Sequence, residues 1–109
     1  MEIMKVKVIQ EHRGEGKFPE FQKGTNVQII GSECNHYLNW FPCKIENHKT
    51  YIPSVFIENE ALIRNYNPTE LICNVGDILE VKEIFHAWFI AEKSCGITGW
   101  IPAEKCISL

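Results

Sequence analysis

Apolar and polar residues alternate in short runs along most of this chain. Val6 and Val8 alternate with Lys5 and Lys7, and Leu79 and Val81 alternate with Glu80 and Lys82. A period of two places alternate side chains on opposite faces of a strand, with the apolar set turned to a core. Val, Ile, Tyr, Phe and Trp dominate these runs, and Gly24, Gly31, Gly76, Gly96 and Gly99 fall where turns are needed. No segment sustains apolar residues at i, i+3, i+4 and i+7, so almost no α-helix is expected. The expected fold class is all-β.

The pattern occurs twice. Gly24-Thr25-Asn26-Val27-Gln28-Ile29 leads to Trp40-Phe41-Pro42-Cys43 and then to Thr50-Tyr51-Ile52-Pro53. Gly76-Asp77-Ile78-Leu79-Glu80-Val81 leads to Trp88-Phe89-Ile90-Ala91 and then to Gly99-Trp100-Ile101-Pro102. The first copy is longer between glycine and proline, and an insertion in a loop around Ser32 to Asn39 accounts for it. Cys43 falls opposite Ala91, which marks it as a small buried residue. Trp100 and Tyr51 fall opposite each other and are expected to pack in the core. Proline suits the first position of a helix, so one short helical turn is expected after each Ile-Pro. The boundary is placed near Glu58-Asn59-Glu60, giving domains 1–57 and 58–109 with no flexible linker between them. Units of about 50 to 55 residues are marginal alone, so the two are expected to pack together as one body.

The second copy resembles a Src-homology-3 domain. The resemblance is carried by Ala61-Leu62-Ile63-Arg64-Asn65, Glu70-Leu71, Asn74-Val75-Gly76-Asp77-Ile78-Leu79, Trp88-Phe89-Ile90-Ala91 and Gly99-Trp100-Ile101-Pro102. In the first copy Tyr51-Ile52-Pro53-Ser54-Val55-Phe56-Ile57 is similar to the closing motif of the same family. The paired arrangement resembles small bacterial proteins built from two such domains. The resemblance implies two tandem SH3-like five-stranded barrels, each with a shallow aromatic groove that grips extended, proline-rich peptides. It places Trp40, Pro53 and Phe56 in the groove of the first copy, with His12 a candidate fourth residue and Glu15 in the neighbouring acidic loop with Glu11 and Glu20. In the second copy it places Trp88 and Pro102 in the groove, while Ile63, Asn65 and Lys105 stand where the family has tyrosines. The first copy is therefore the better expected peptide site, and a protein or peptide the expected partner. The alternative is a structural or assembly role in which the grooves are buried between copies or in a homodimer.

Net charge narrows the partners only a little. The formal charge is −3, which does not favour a general nucleic-acid binder, since that function needs a basic face. Lys5, Lys7, Arg13, Lys17 and Lys23 keep nucleic acid as a third reading. Residues 1–57 carry seven basic and six acidic side chains, residues 58–109 four and eight, so the second copy is the more acidic. No apolar stretch reaches the length of a membrane-spanning helix, and no membrane partner is expected. The five cysteines are irregularly spaced and odd in number, which points to reduced thiols and a cytoplasmic protein. Cys34, His36, Cys43 and His48 lack zinc-ligand spacing, so no metal or cofactor is expected. Without a phosphate loop, a nucleophile elbow or paired acids, no enzyme activity is expected.

Overall fold

The computed structural model describes residues 3–14 and 17–109. In chain order the strands are β1 (Met4–Val8), β2 (Gln28–Ile29), β3 (Trp40–Ile45), β4 (His48–Pro53), β5 (Ile57–Glu58), β6 (Ala61–Leu62), β7 (Ile78–Phe85), β8 (Trp88–Lys93), β9 (Thr98–Pro102) and β10 (Cys106–Ser108). Among the described residues there is no α-helix. Two 3₁₀ turns, Ser54–Phe56 and Ala103–Lys105, follow the two Ile-Pro steps as the sequence predicts. The protein is all-β.

The chain forms two compact units, Met1–Lys17 with Thr69–Leu109, and Phe18–Pro68. Their limits differ from the sequence boundary at 57/58. Asn59 and Glu60, where the boundary is expected, are the two central residues of the β5–β6 hairpin inside the continuous unit, both at positive φ. Glu46-Asn47 and His86-Ala87 make the same turn between β3 and β4 and between β7 and β8. Two left-handed residues give the turn whose twist matches that of paired strands. None of the three carries the Asn-Gly or Asp-Gly pair that signals such a turn in sequence.

In the discontinuous unit the strands form an antiparallel sheet in the order β10-β1-β7-β8-β9. Strand β1 lies between β7 and β10, with Val6 opposite both Leu79 and Ser108. Val6 and Val8 point inward while Lys5 and Lys7 stay in water, so the alternation read in the sequence is the face of a buried strand. The core contains Val6, Val8, Leu71, Cys73, Leu79, Phe89, Ala91 and Ile101. A fully buried Val or Leu contributes about 1.5–3 kcal/mol, and every strand except the edge strand β10 places a fully buried side chain in this cluster.

In the continuous unit, β2-β3-β4 and β5-β6 are separate sheets, and isolated bridges pair Asn26 with Ala61 and Phe21 with Tyr66. Its buried apolar residues include Phe21, Val27, Cys43, Ile45, Ile52 and Leu62. Cys43 has no exposed surface, as its alignment with the equally buried Ala91 implies, and burial pushes its thiol pKa up to about 12. Tyr51 departs from expectation. It is 51% exposed because it lies on the outward side of β4, whereas its counterpart Trp100 is buried. The sheets are open rather than closed barrels. The edges of the five-stranded sheet are β9 and the three-residue β10, and no ladder joins them.

Candidate binding site beside Trp88

The residues expected to form the first groove are packed away. Trp40 is 5% exposed and lies opposite the buried Pro53 across β3 and β4. Phe56, at the end of the 3₁₀ turn, is 1% exposed. Its ring meets Tyr66 edge-on at 5.3 Å, and the Arg64 guanidinium lies 4.6 Å from its centroid. Such a cation–aromatic contact stabilises by about 0.5–1 kcal/mol at an exposed site and more when water is excluded. The Tyr66 hydroxyl donates to the backbone oxygen of Tyr51. The Phe56 ring that would grip a ligand is thus turned to Tyr66 and to Arg64.

His12 is not in this group. It lies in the discontinuous unit, its ring edge-on to Trp88 with centroids 6.0 Å apart. Trp88 is half-buried and faces the buried Pro102 across β8 and β9. The other predicted acid of the site, Glu15, lies outside the described residues. Glu11 is exposed and paired with Arg13 at 2.9 Å, and Glu20 is exposed in the other unit.

Two residues that the sequence pattern does not bring to His12 are its closest polar neighbours. Glu70 Oε1 is 2.6 Å from His12 Nε2, and Lys105 Nζ is 2.8 Å from His12 Nδ1. An ammonium can only donate, so Nδ1 accepts, the ring proton sits on Nε2, and Nε2–H donates to the Glu70 carboxylate. Lys105 Nζ also reaches the backbone oxygen of Glu11 at 3.3 Å. This network satisfies the single polar side chain buried in the described residues, His12 at 8% exposure.

Local sequence explains how the three meet. His12 and Cys73 exchange backbone hydrogen bonds at 3.0 and 2.8 Å, which fixes the segment after β1 beside the one carrying Glu70. Glu70 is bridged in parallel to Trp100, and Lys105 ends the 3₁₀ turn after Pro102. Gly14 leaves room for the approach. Its φ is +65°, and a Cβ there would stand 2.9 Å from the Glu70 Cβ. The signal for this cluster is present in the sequence, because Glu70 stands three residues before Cys73 on the strand-like segment that leads to the Gly76 turn.

A carboxylate, an imidazole and a third group in line also describe a hydrolytic triad, but here Lys105 Nζ stands where a serine or cysteine nucleophile would be. The nearest buried thiol on this segment, Cys73, has its pKa raised by burial, with Lys93 opposing and Asp77 adding to the shift. A raised pKa makes the thiolate scarcer. The network can orient groups and offer charge at the foot of Trp88. Among the described residues no group of three or more His, Cys, Asp or Glu could hold a metal ion, and no helix is long and apolar enough to cross a membrane. The basic residues Lys5, Lys7, Arg13 and Lys17 belong to one unit and Lys23 to the other. Counted by unit, charge is nearly even: seven basic against nine acidic side chains in one and four against five in the other. Comparison of the chain with protein-family models, curated proteins and solved structures finds no match.

Proposed function

We propose that this chain is a non-catalytic protein-interaction protein of two Src-homology-3-like units, and that an extended, proline-containing peptide docks on the Trp88 face of the discontinuous unit. The observation that carries this reading is the contrast between the two tryptophans. Trp40 is buried with Pro53 and Phe56, while Trp88 keeps part of its surface in water beside Pro102. A pre-extended polyproline segment loses little entropy against such a surface. Glu70, hydrogen-bonded to the His12 ring that meets Trp88, gives a carboxylate for a basic residue of the ligand.

The test is an NMR titration of the labelled protein with a panel of proline-containing peptides, watching the signals of Trp40 and Trp88 among the three indole N–H groups. The Trp88 signal shifts and that of Trp40 stays. Trp88→Ala weakens binding tenfold or more, since a desolvated aromatic anchor contributes about 2 kcal/mol or more. If the Trp88 indole signal never moves across the panel, the reading fails. A structural role is the second reading, favoured by the burial of Trp40, Pro53 and Phe56. In that case no peptide shifts either indole, and analytical ultracentrifugation finds a homodimer.

A further inference from the structure

We infer that the two sequence repeats have exchanged their first strands, so that each folded unit is completed by the other repeat. The inference is independent of the peptide reading and rests on hydrogen bonds that occur twice. In the unit containing the Gly76 turn, Gly76 N–H donates to Val8 O at 2.8 Å and Val8 N–H to Asp77 O at 2.9 Å. In the unit containing the Gly24 turn, Gly24 N–H donates to Leu62 O at 2.8 Å and Leu62 N–H to Thr25 O at 2.9 Å. His12 and Cys73 exchange two backbone bonds, as do Tyr66 and Phe21. Ile9 N–H donates to Lys105 O at 2.8 Å, and Ile63 N–H to Phe56 O at 2.9 Å. Every bond in one set has its counterpart in the other.

Gly24 matches Gly76 and Phe56 matches Lys105 in the repeat alignment, each pair taking one residue from either repeat. The segment that serves the second repeat's turn is nevertheless residues 4–12, which begins with β1, and the segment that serves the first repeat's turn is residues 61–66, which begins with β6. Val8 and Leu62 occupy the same place, and both are buried.

The side chains explain why this pairing wins over the unexchanged one. Phe18 precedes Phe21 by three residues, as Glu70 precedes Cys73. Without exchange, His12 would stand beside Phe18 and Phe56 instead of Glu70 and Lys105. Its ring would lose both hydrogen-bond partners, and a buried polar group left without partners disfavours the fold that strands it. Tyr66 would in turn leave Phe56 for a lysine. The exchange puts the polar strand end against polar neighbours and the aromatic one against aromatic neighbours. The site at Trp88 is consequently composite, with His12 from the first repeat and Glu70, Trp88 and Lys105 from the second.

Cross-strand NOEs in the intact protein test this directly. Exchange places Val6 against Leu79 and Met4 against Val81. NOEs from β1 to Val27 in their place overturn it. An isotope-filtered spectrum of mixed labelled and unlabelled protein separates exchange within a chain from exchange between copies. No interchain NOE is expected, and interchain Val6–Leu79 NOEs overturn the closed, single-chain form. A substitution gives a second readout. Leu62→Val, although in the second repeat, shifts the amides of Gly24, Thr25 and Phe56 in the first. Shifts confined to Gly76, Asp77 and Lys105 sink the inference.

Discussion

Replacing Glu70 by alanine removes the acceptor of the His12 Nε2–H bond and leaves a donor in a site where His12 is 8% exposed. A hydrogen bond to a charged group contributes about 1.5–3 kcal/mol, and the unmet donor carries its desolvation cost. The Glu70 side chain is 21% exposed, so water screens part of the interaction and the lower end applies. The expected loss for Glu70→Ala is about 1.5 kcal/mol, a little over tenfold in the folding equilibrium. Glu70→Gln keeps an oxygen acceptor of the same reach and loses only the charge, so its expected cost is about 0.5 kcal/mol. Urea denaturation at neutral pH, followed by tryptophan fluorescence, measures both. Long-range nitrogen–proton spectra of the His12 ring report the proton on Nε2 in the wild type. The reasoning is refuted if Glu70→Ala changes stability by less than about 0.3 kcal/mol, or if glutamine is as costly as alanine.

Other consequences follow from the paired turns and the buried thiols. Gly24 and Gly76 have φ of +92° and +97° with no atom within 4 Å of an added Cβ, so alanine brings backbone strain alone. Each substitution costs about 1 kcal/mol in urea melts and the two add, whereas a cost at only one site breaks the equivalence of the turns. Ala87, at φ +73°, occupies the place that Asn39 has in the other unit, since Ala103 N–H donates to Ala87 O as Ser54 N–H does to Asn39 O. Ala87→Asn therefore raises stability by about 0.5 kcal/mol, measured by the same melts, because asparagine tolerates the left-handed region. The Cys43 thiol is pushed up from its ordinary value of 9.0 to about 12, so folding favours its neutral form. Its contribution is whole below about pH 9 and is lost as pH rises from there towards 12. Cys43→Ala, which puts at this place the residue already buried at the equivalent Ala91, shows a smaller fall in unfolding free energy between pH 8 and 10.5. Cys106, pushed up to about 11, keeps part of that fall in the variant. An unchanged fall in Cys43→Ala assigns the alkaline loss elsewhere.

How much of this is legible in the sequence depends on whether the signal is local. The alternation at Val6 and Val8, the small core place at Cys43 and the 3₁₀ turns after Pro53 and Pro102 are set by residues within a few positions of one another, and all appear in the structure. The Asn59–Glu60 turn reads as a join because it lacks glycine, although asparagine accepts the same backbone. Strand choice is a different problem. The Gly24 and Gly76 turns each present one N–H and one C=O at the same spacing, and each meets its strand through backbone groups alone, which carry no side-chain identity. Periodicity and turn chemistry are therefore silent about the exchange, and assigning His12 to Trp40 follows from assuming that neighbours in sequence share a unit. The information that decides it is carried by the side chains beyond the turn, where His12 finds Glu70 and Lys105 and Tyr66 finds Phe56. Those matches span 58 and 93 residues for His12, beyond the reach of any local pattern, so the choice between the two closures is written in pairs of residues that no window of sequence holds together.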